Sequence, residues 1–171
     1  ASTTTYTVTV TAANGCTDED NVTVVVNPLP VVSASNDGPV TCAMPNVTLT
    51  ALPAGMTYAW QGGGSNQTQV VSATGSYAVT ITDSNGCTNV ATTTVTDDLV
   101  PPTANAGTNE EICFGESTNL TATGGVSYQW SNGAGNTASV NVSPVNTTAY
   151  TVTVTAAKGC TDEENVAVEV N

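Results

Sequence analysis

Three near-copies of one phrase constrain this chain more than any other feature. Tyr6 to Val26 reads YTVTVTAANGCTDEDNVTVVV, and Tyr150 to Val170 reads YTVTVTAAKGCTDEENVAVEV. A looser copy, YAVTITDSNGCTNVATTTV, runs from Tyr77 to Val95. In each, the tyrosine stands ten positions before the cysteine: 6 and 16, 77 and 87, 150 and 160. Repetition of this kind means that one supersecondary unit is used several times. Every copy alternates apolar with polar residues, breaks at Asn-Gly or Lys-Gly before the cysteine, and resumes as a second run. Such a pattern predicts two strands, each with one buried face, joined by a hairpin turn.

The cysteines set the length of the unit. Cys16 and Cys87 are 71 apart, Cys87 and Cys160 are 73 apart, and Cys42 and Cys113 are again 71 apart. The 171 residues therefore divide into a closing hairpin (residues 1–27), a first complete repeat (28–98) and a second (99–171). Asn27-Pro28-Leu29-Pro30 and Asp97-Asp98-Leu99-Val100-Pro101-Pro102 form the joints, where proline stiffens the backbone and removes ladder donors. A lone hairpin is marginal in water. Residues 1–27 are thus expected to close a repeat whose remainder lies upstream in a longer protein, or to complete a sheet with another chain.

The two complete repeats share their landmarks. Val47, Leu49 and Ala51 match Thr118, Leu120 and Ala122, and Tyr58 and Trp60 match Tyr128 and Trp130. Short alternating runs bounded by Gly, Asn and Pro, with no helix-period stretch of useful length, predict an all-β chain of tandem β-sandwiches. Trp60 and Trp130 each stand two residues from a tyrosine on one strand face. They are expected as core aromatics between sheets rather than as platforms that stack on sugar.

Position and spacing of the cysteines predict one disulfide per repeat, Cys42 with Cys87 and Cys113 with Cys160. Cys16 is left unpaired or with a partner outside this sequence. Cross-links of this kind imply an oxidising, extracellular setting. Buried free thiols are the alternative. Zinc is disfavoured, because there is no CxxC and no histidine.

The net charge of −13 arises from a scarcity of bases: Lys158 is the only one, against 14 acids. Nucleic-acid binding and adsorption to an anionic membrane both need Lys and Arg, so neither is expected. No apolar run is long enough to span a bilayer, so no membrane insertion is expected. Without histidine, no Ser-His-Asp or Cys-His centre can form within the chain. The carboxylates sit at turns and joints without flanking aromatics, which argues against a glycosidase. No enzyme is expected, and no cofactor.

A structural calcium is the one metal to consider. Asp18-Glu19-Asp20 and Asp162-Glu163-Glu164 follow hairpin cysteines, and Asp97-Asp98 and Glu110-Glu111 stand near the second joint. Hard oxygen ligands there would fix one repeat on the next. Against this, the middle copy has Thr88-Asn89-Val90 at the triplet, and a solvated acidic edge explains the same residues.

The text CFGESTNLTATGGVSYQWSNG, Cys113 to Gly133, followed by SPVNTTAYTVTVTAAKGCTDEENVAV to Val168, resembles the immunoglobulin-like and PKD-like repeats of secreted Bacteroidetes cell-surface adhesins. These include gliding-motility adhesins exported by the type 9 system. Residues 28–98 follow the pattern less closely, with Cys42-Ala43-Met44-Pro45 in place of C-x-G-E-S. The WxFGDG-like text of PKD domains is replaced by Trp60-Gln61-Gly62-Gly63 and Trp130-Ser131-Asn132-Gly133, which favours the immunoglobulin-like branch. The resemblance implies an extracellular segment on a bacterial cell surface, with no catalytic residues. Its expected role is a stalk or fibre segment of an adhesin, partnered by neighbouring repeats and by other copies in a fibre. The alternatives are a self-assembling filament subunit completed by strand exchange and a module that binds a glycan or surface ligand.

Overall fold

The structure, a computed structural model, describes residues 2–171. All elements among them are strands: β1 (Thr4–Thr11), β2 (Thr17–Val24), β3 (Ser33–Asn36), β4 (Val40–Thr41), β5 (Val47–Leu52), β6 (Thr57–Trp60), β7 (Thr68–Val71) and β8 (Gly75–Thr82). They continue as β9 (Thr88–Val95), β10 (Asp97–Asp98), β11 (Glu110–Ile112), β12 (Thr118–Thr121), β13 (Ser127–Trp130), β14 (Ser139–Val142), β15 (Thr148–Thr155) and β16 (Thr161–Val170). The chain forms two compact units. One comprises Ala1–Asn36, Thr48–Gln69 and Ser76–Thr94, and the other Asp37–Val47, Val70–Gly75 and Val95–Asn171.

In the first unit, β1 and β2 form an antiparallel hairpin in register from Thr4↔Val24 to Thr11↔Thr17. Its polar rungs are joined side chain to side chain: Thr9 donates to Glu19 at 3.0 Å, and Thr5 meets Thr23 at 3.0 Å. The remaining strands build the sheets β3-β5-β7 and β6-β8-β9. Alternate residues point inward, so Leu49 and Ala51 of β5, Tyr58 and Trp60 of β6, and Val79 and Ile81 of β8 are buried. Burial of Tyr and Trp leaves polar atoms to satisfy. The Trp60 indole N–H donates to the Asn66 carbonyl at 3.0 Å, and the Tyr58 hydroxyl donates to the Pro53 carbonyl at 2.8 Å.

The second unit repeats this plan with the sheets β11-β16-β15-β13 and β12-β14. Trp130, 1% exposed, lies in a core with Leu120, Val140, Val152, Val154 and Val166. Its indole N–H donates to the Thr137 carbonyl at 3.1 Å, and its backbone N–H to the Gly135 carbonyl at 2.8 Å. Trp60 has the matching backbone bond to Gly64, at 3.0 Å. Each glycine-containing loop thus folds back over the tryptophan that precedes it.

The hairpins β1–β2 and β15–β16 have nearly one text and one register, with Tyr6↔Val22 answering Tyr150↔Val166. Their surroundings differ. Tyr150, Val152 and Val154 are 6%, 0% and 0% exposed, whereas Tyr6, Val8 and Val10 are 59%, 58% and 63% exposed. Identical substitutions should therefore have different effects. Val152→Thr places a hydroxyl in an apolar core and is expected to cost about 1–3 kcal/mol. Val8→Thr should change stability by less than about 0.5 kcal/mol. Urea unfolding followed by circular dichroism measures both, and equal effects would contradict the assignment of the buried face.

Candidate cross-link and docking site

Two cysteines of the second unit, Cys42 and Cys160, meet where the loop after β4 reaches the turn between β15 and β16. β4 runs parallel to β10, pairing Val40↔Asp97 and Thr41↔Asp98, and Val40 N–H donates to the Thr96 carbonyl at 2.9 Å. The chain then turns tightly. Thr41 N–H donates to the Met44 carbonyl and Met44 N–H to Thr41 Oγ1, both at 2.9 Å. The second bond satisfies Thr41, a buried polar side chain, as burial requires. The turn presents Cys42 and Ala43 at its tip.

Opposite them, Ala156 N–H donates to the Cys160 carbonyl at 2.8 Å and Gly159 N–H to the Ala156 carbonyl at 2.9 Å. Gly159 has φ +83°, in the left-handed region that glycine adopts without penalty. A Cβ at Gly159 would stand 2.7 Å from the Ala43 Cβ, so only glycine permits this approach. Ala43 N–H donates to the Lys158 carbonyl at 2.9 Å. A cleft of about 310 Å³ beside this contact is lined by Gly38, Pro39, Thr41, Met44, Ala157 and Lys158, among others. The Lys158 residue is exposed, and its main-chain oxygen is what holds the loop.

The two segments are joined covalently by a disulfide between Cys42 and Cys160, with Cα atoms 5.0 Å apart and a sequence separation of 118. This corrects the pairing expected from spacing. Cys42 is not bonded to Cys87, nor Cys113 to Cys160, and Cys16, Cys87 and Cys113 are free thiols. The reason lies in strand direction. β11 pairs parallel with β16, aligning Ile112 with Val170, so Cys113 follows a strand that ends level with the far end of β16. Cys160 stands just before the start of that ten-residue strand. At about 3.3 Å per residue the two cysteines are about 30 Å apart along the sheet, whereas a disulfide spans at most about 7 Å between Cα atoms. Spacing set Cys42 against a hairpin cysteine, as the bond to Cys160 does, but it gave Cys113 a partner that it does not have. It could not say which hairpin supplies the partner.

The acidic triplet has a structural use that sequence reasoning missed. Asp162 Oδ2 accepts the Ala104 N–H at 2.9 Å, and Glu164 Oε2 accepts the Ala106 N–H at 2.7 Å. Glu163 accepts from the Thr153 hydroxyl at 2.8 Å. The acids thus fasten the segment that enters the second repeat onto its hairpin. Asn89, at the position of Asp162, does the same in the first unit by donating to the Pro30 carbonyl at 2.9 Å. On β2, Asp18 and Asp20 instead accept from the adjacent Glu19 and Asn21 N–H groups. Among the described residues, no group of three or more His, Cys, Asp or Glu is placed to hold a metal ion. Asp162→Ala is expected to cost about 1–2 kcal/mol, since it leaves a partly buried N–H without its charged acceptor. An unchanged urea midpoint would contradict that role.

No protein-family model matches the chain, and no curated protein matches it. Solved structures do. The three N-terminal domains of the Highly Immunogenic Outer Capsid protein (Hoc) of bacteriophage RB49 match 81% of this chain and 58% of their own length, with TM-score 0.52 and 19% identity. A Ca2+-stabilized adhesin that helps an Antarctic bacterium reach out and bind ice matches 99% of this chain and 57% of its own, with TM-score 0.50 and 15% identity. The fold is that of tandem immunoglobulin-like sandwiches. This chain spans a little over half the length of either structure. Within the fold, the Cys42–Cys160 bond reaches from the first sequence repeat to the hairpin of the second. Among the described residues no helix is long and apolar enough to cross a membrane.

Proposed function

We propose that this chain is an extracellular stalk or fibre segment of a bacterial cell-surface adhesin, of the kind found in type 9 secreted gliding adhesins of Bacteroidetes. Its task is mechanical: the hairpin 1–27 and the complete repeats 28–98 and 99–171 hold more distal parts of the protein away from the cell. The carrying observation is the Cys42–Cys160 bond, which closes a span of 118 residues. Tension applied at the two ends cannot lengthen that span while the bond is intact. The aromatics and acids that would otherwise suggest a binding or catalytic site support this reading, since Trp60, Trp130, Asp162 and Glu164 serve the core and the strand edges. Self-assembly is a second reading, favoured by the exposed apolar residues Tyr6, Val8, Val10, Val22 and Val24 on the first hairpin.

Single-molecule stretching from the two termini tests the stalk reading. The oxidised chain should extend only by its flanking residues, and reductant should add about 400 Å of contour length, the reach of about 118 residues at 3.3–3.6 Å each. Full extension before reduction would mean that the segment does not resist tension, and the proposal would fail.

A further inference from the structure

We propose that the Asn14–Gly15 step in the first hairpin turn is a site of spontaneous deamidation, faster than Asn85–Gly86 or Asn132–Gly133, and that the third hairpin has no such site. The reaction needs only the chain and water, and it does not depend on the stalk reading.

Asparagine precedes glycine at three places, Asn14-Gly15, Asn85-Gly86 and Asn132-Gly133. The nucleophile is the glycine backbone nitrogen, which has no neighbouring Cβ to shield it. Once deprotonated, it attacks Cγ of the preceding asparagine, closes a cyclic imide and expels ammonia. Water then opens the ring at either carbonyl. The product is aspartate, or its isomer with the main chain rerouted through the side chain. One side-chain amide and one water thus give one acid and one ammonia. Negative charge gathers on Oδ1 during the attack, so a hydrogen-bond donor aimed at that oxygen speeds the step.

The first two hairpin turns differ at that donor. In both, the glycine N–H is tied to the residue that opens the turn: Gly15 donates to the Ala12 carbonyl at 2.8 Å, and Gly86 to the Asp83 carbonyl at 3.1 Å. Both sites must therefore open the same kind of bond. In the first turn, the Cys16 N–H donates to Asn14 Oδ1 at 3.2 Å. This bond folds the side chain back over the Gly15 peptide, as in other Asx-turns, and supplies the donor. In the second turn, Asp83 stands where the first has Ala12. Its Oδ1 takes the Cys87 N–H at 2.9 Å as well as the Asn85 N–H at 2.8 Å. Asn85 is thereby denied the donor that Asn14 has. Both asparagines are exposed, so water reaches either ring. At Asn132, the amide nitrogen that has to leave is held by the Ala149 carbonyl at 3.1 Å.

The third hairpin has Lys158 at this position, and lysine cannot form the ring. That is the turn whose main-chain oxygen holds Ala43 and which leads into the Cys42–Cys160 bond. The turn that carries the cross-link is immune, the second is guarded by Asp83, and the first is open.

The test incubates the folded full-length chain at body temperature and mildly alkaline pH. Peptide mapping by mass spectrometry follows each site with time, using fragmentation that separates aspartate from its isomer. Asn14 should deamidate about three- to ten-fold faster than Asn85, the effect of one hydrogen bond on a rate, and faster than Asn132. In urea, where neither turn persists, the Asn14 and Asn85 rates should converge. Ala12→Asp should slow Asn14, and Asp83→Ala should speed Asn85, by a similar factor. Circular dichroism checks that both variants keep the strand signal, and the comparison of folded chain with urea decides the matter if either does not. Equal rates in the folded chain, Asn85 or Asn132 outrunning Asn14, a ratio that survives in urea, or folded variants with unchanged rates would each overturn the proposal.

Discussion

Trp130→Ala is expected to lower the unfolding free energy of the second unit by about 3–5 kcal/mol, the usual cost of truncating a buried tryptophan. The side chain is 1% exposed and belongs to the same buried core as Leu120, Val152 and Val166, so no solvent can enter cheaply to fill the space. The Thr137 carbonyl also loses the indole N–H that satisfies it at 3.1 Å. Small domains have only about 5–15 kcal/mol in hand, so this one change should bring the unit close to its unfolding threshold. Circular dichroism during urea unfolding reads the effect without relying on tryptophan emission. A loss below about 1 kcal/mol would mean that the indole is not the centre of the core.

Removing the Cys42–Cys160 bond should have an effect of similar size. Opening a loop with a sequence separation of 118 restores denatured-chain entropy worth about 4–5 kcal/mol by the loop-closure account, with typical measured values nearer 2–4. The double variant Cys42→Ser, Cys160→Ser should therefore unfold at markedly lower urea than the parent. Cys87→Ser and Cys113→Ser should shift the free energy by less than about 1 kcal/mol, because both residues are free thiols. A loss of several kcal/mol in Cys87→Ser or Cys113→Ser would instead indicate that the bridges lie within each repeat.

Much of the architecture was legible in the sequence because its signals are local. The Tyr-Thr-Val-Thr-Val alternation sets which face of a strand is apolar, and the Asn-Gly and Lys-Gly turns place the hairpins within a residue or so. Repetition then carried the reading of one unit to the next. What local signals could not supply was strand direction between distant segments. The parallel pairing of β11 with β16 sends Cys113 to the opposite end from Cys160, and nothing in the spacing of 47 residues reveals that. The contacts of the acids were hidden for a related reason. Glu163 and Glu164 are exposed, as in a solvated acidic edge, but the backbone N–H groups that Asp162 and Glu164 accept belong to residues 104 and 106, 58 positions earlier. The near-identical hairpins teach the converse lesson: β1–β2 and β15–β16 share nearly all their text and their register, yet the tyrosine–valine face is buried only in the second, since burial depends on what the rest of the chain brings to that face.

Peptide mapping under non-reducing conditions reads the cysteine pairing itself. The chain is digested after free thiols are blocked at low protein concentration, and the linked peptides are identified by mass spectrometry. Digestion should release one cross-linked species joining Cys42 to Cys160, with Cys16, Cys87 and Cys113 carrying the blocking group. Recovery of Cys42–Cys87 and Cys113–Cys160 peptides instead would contradict it.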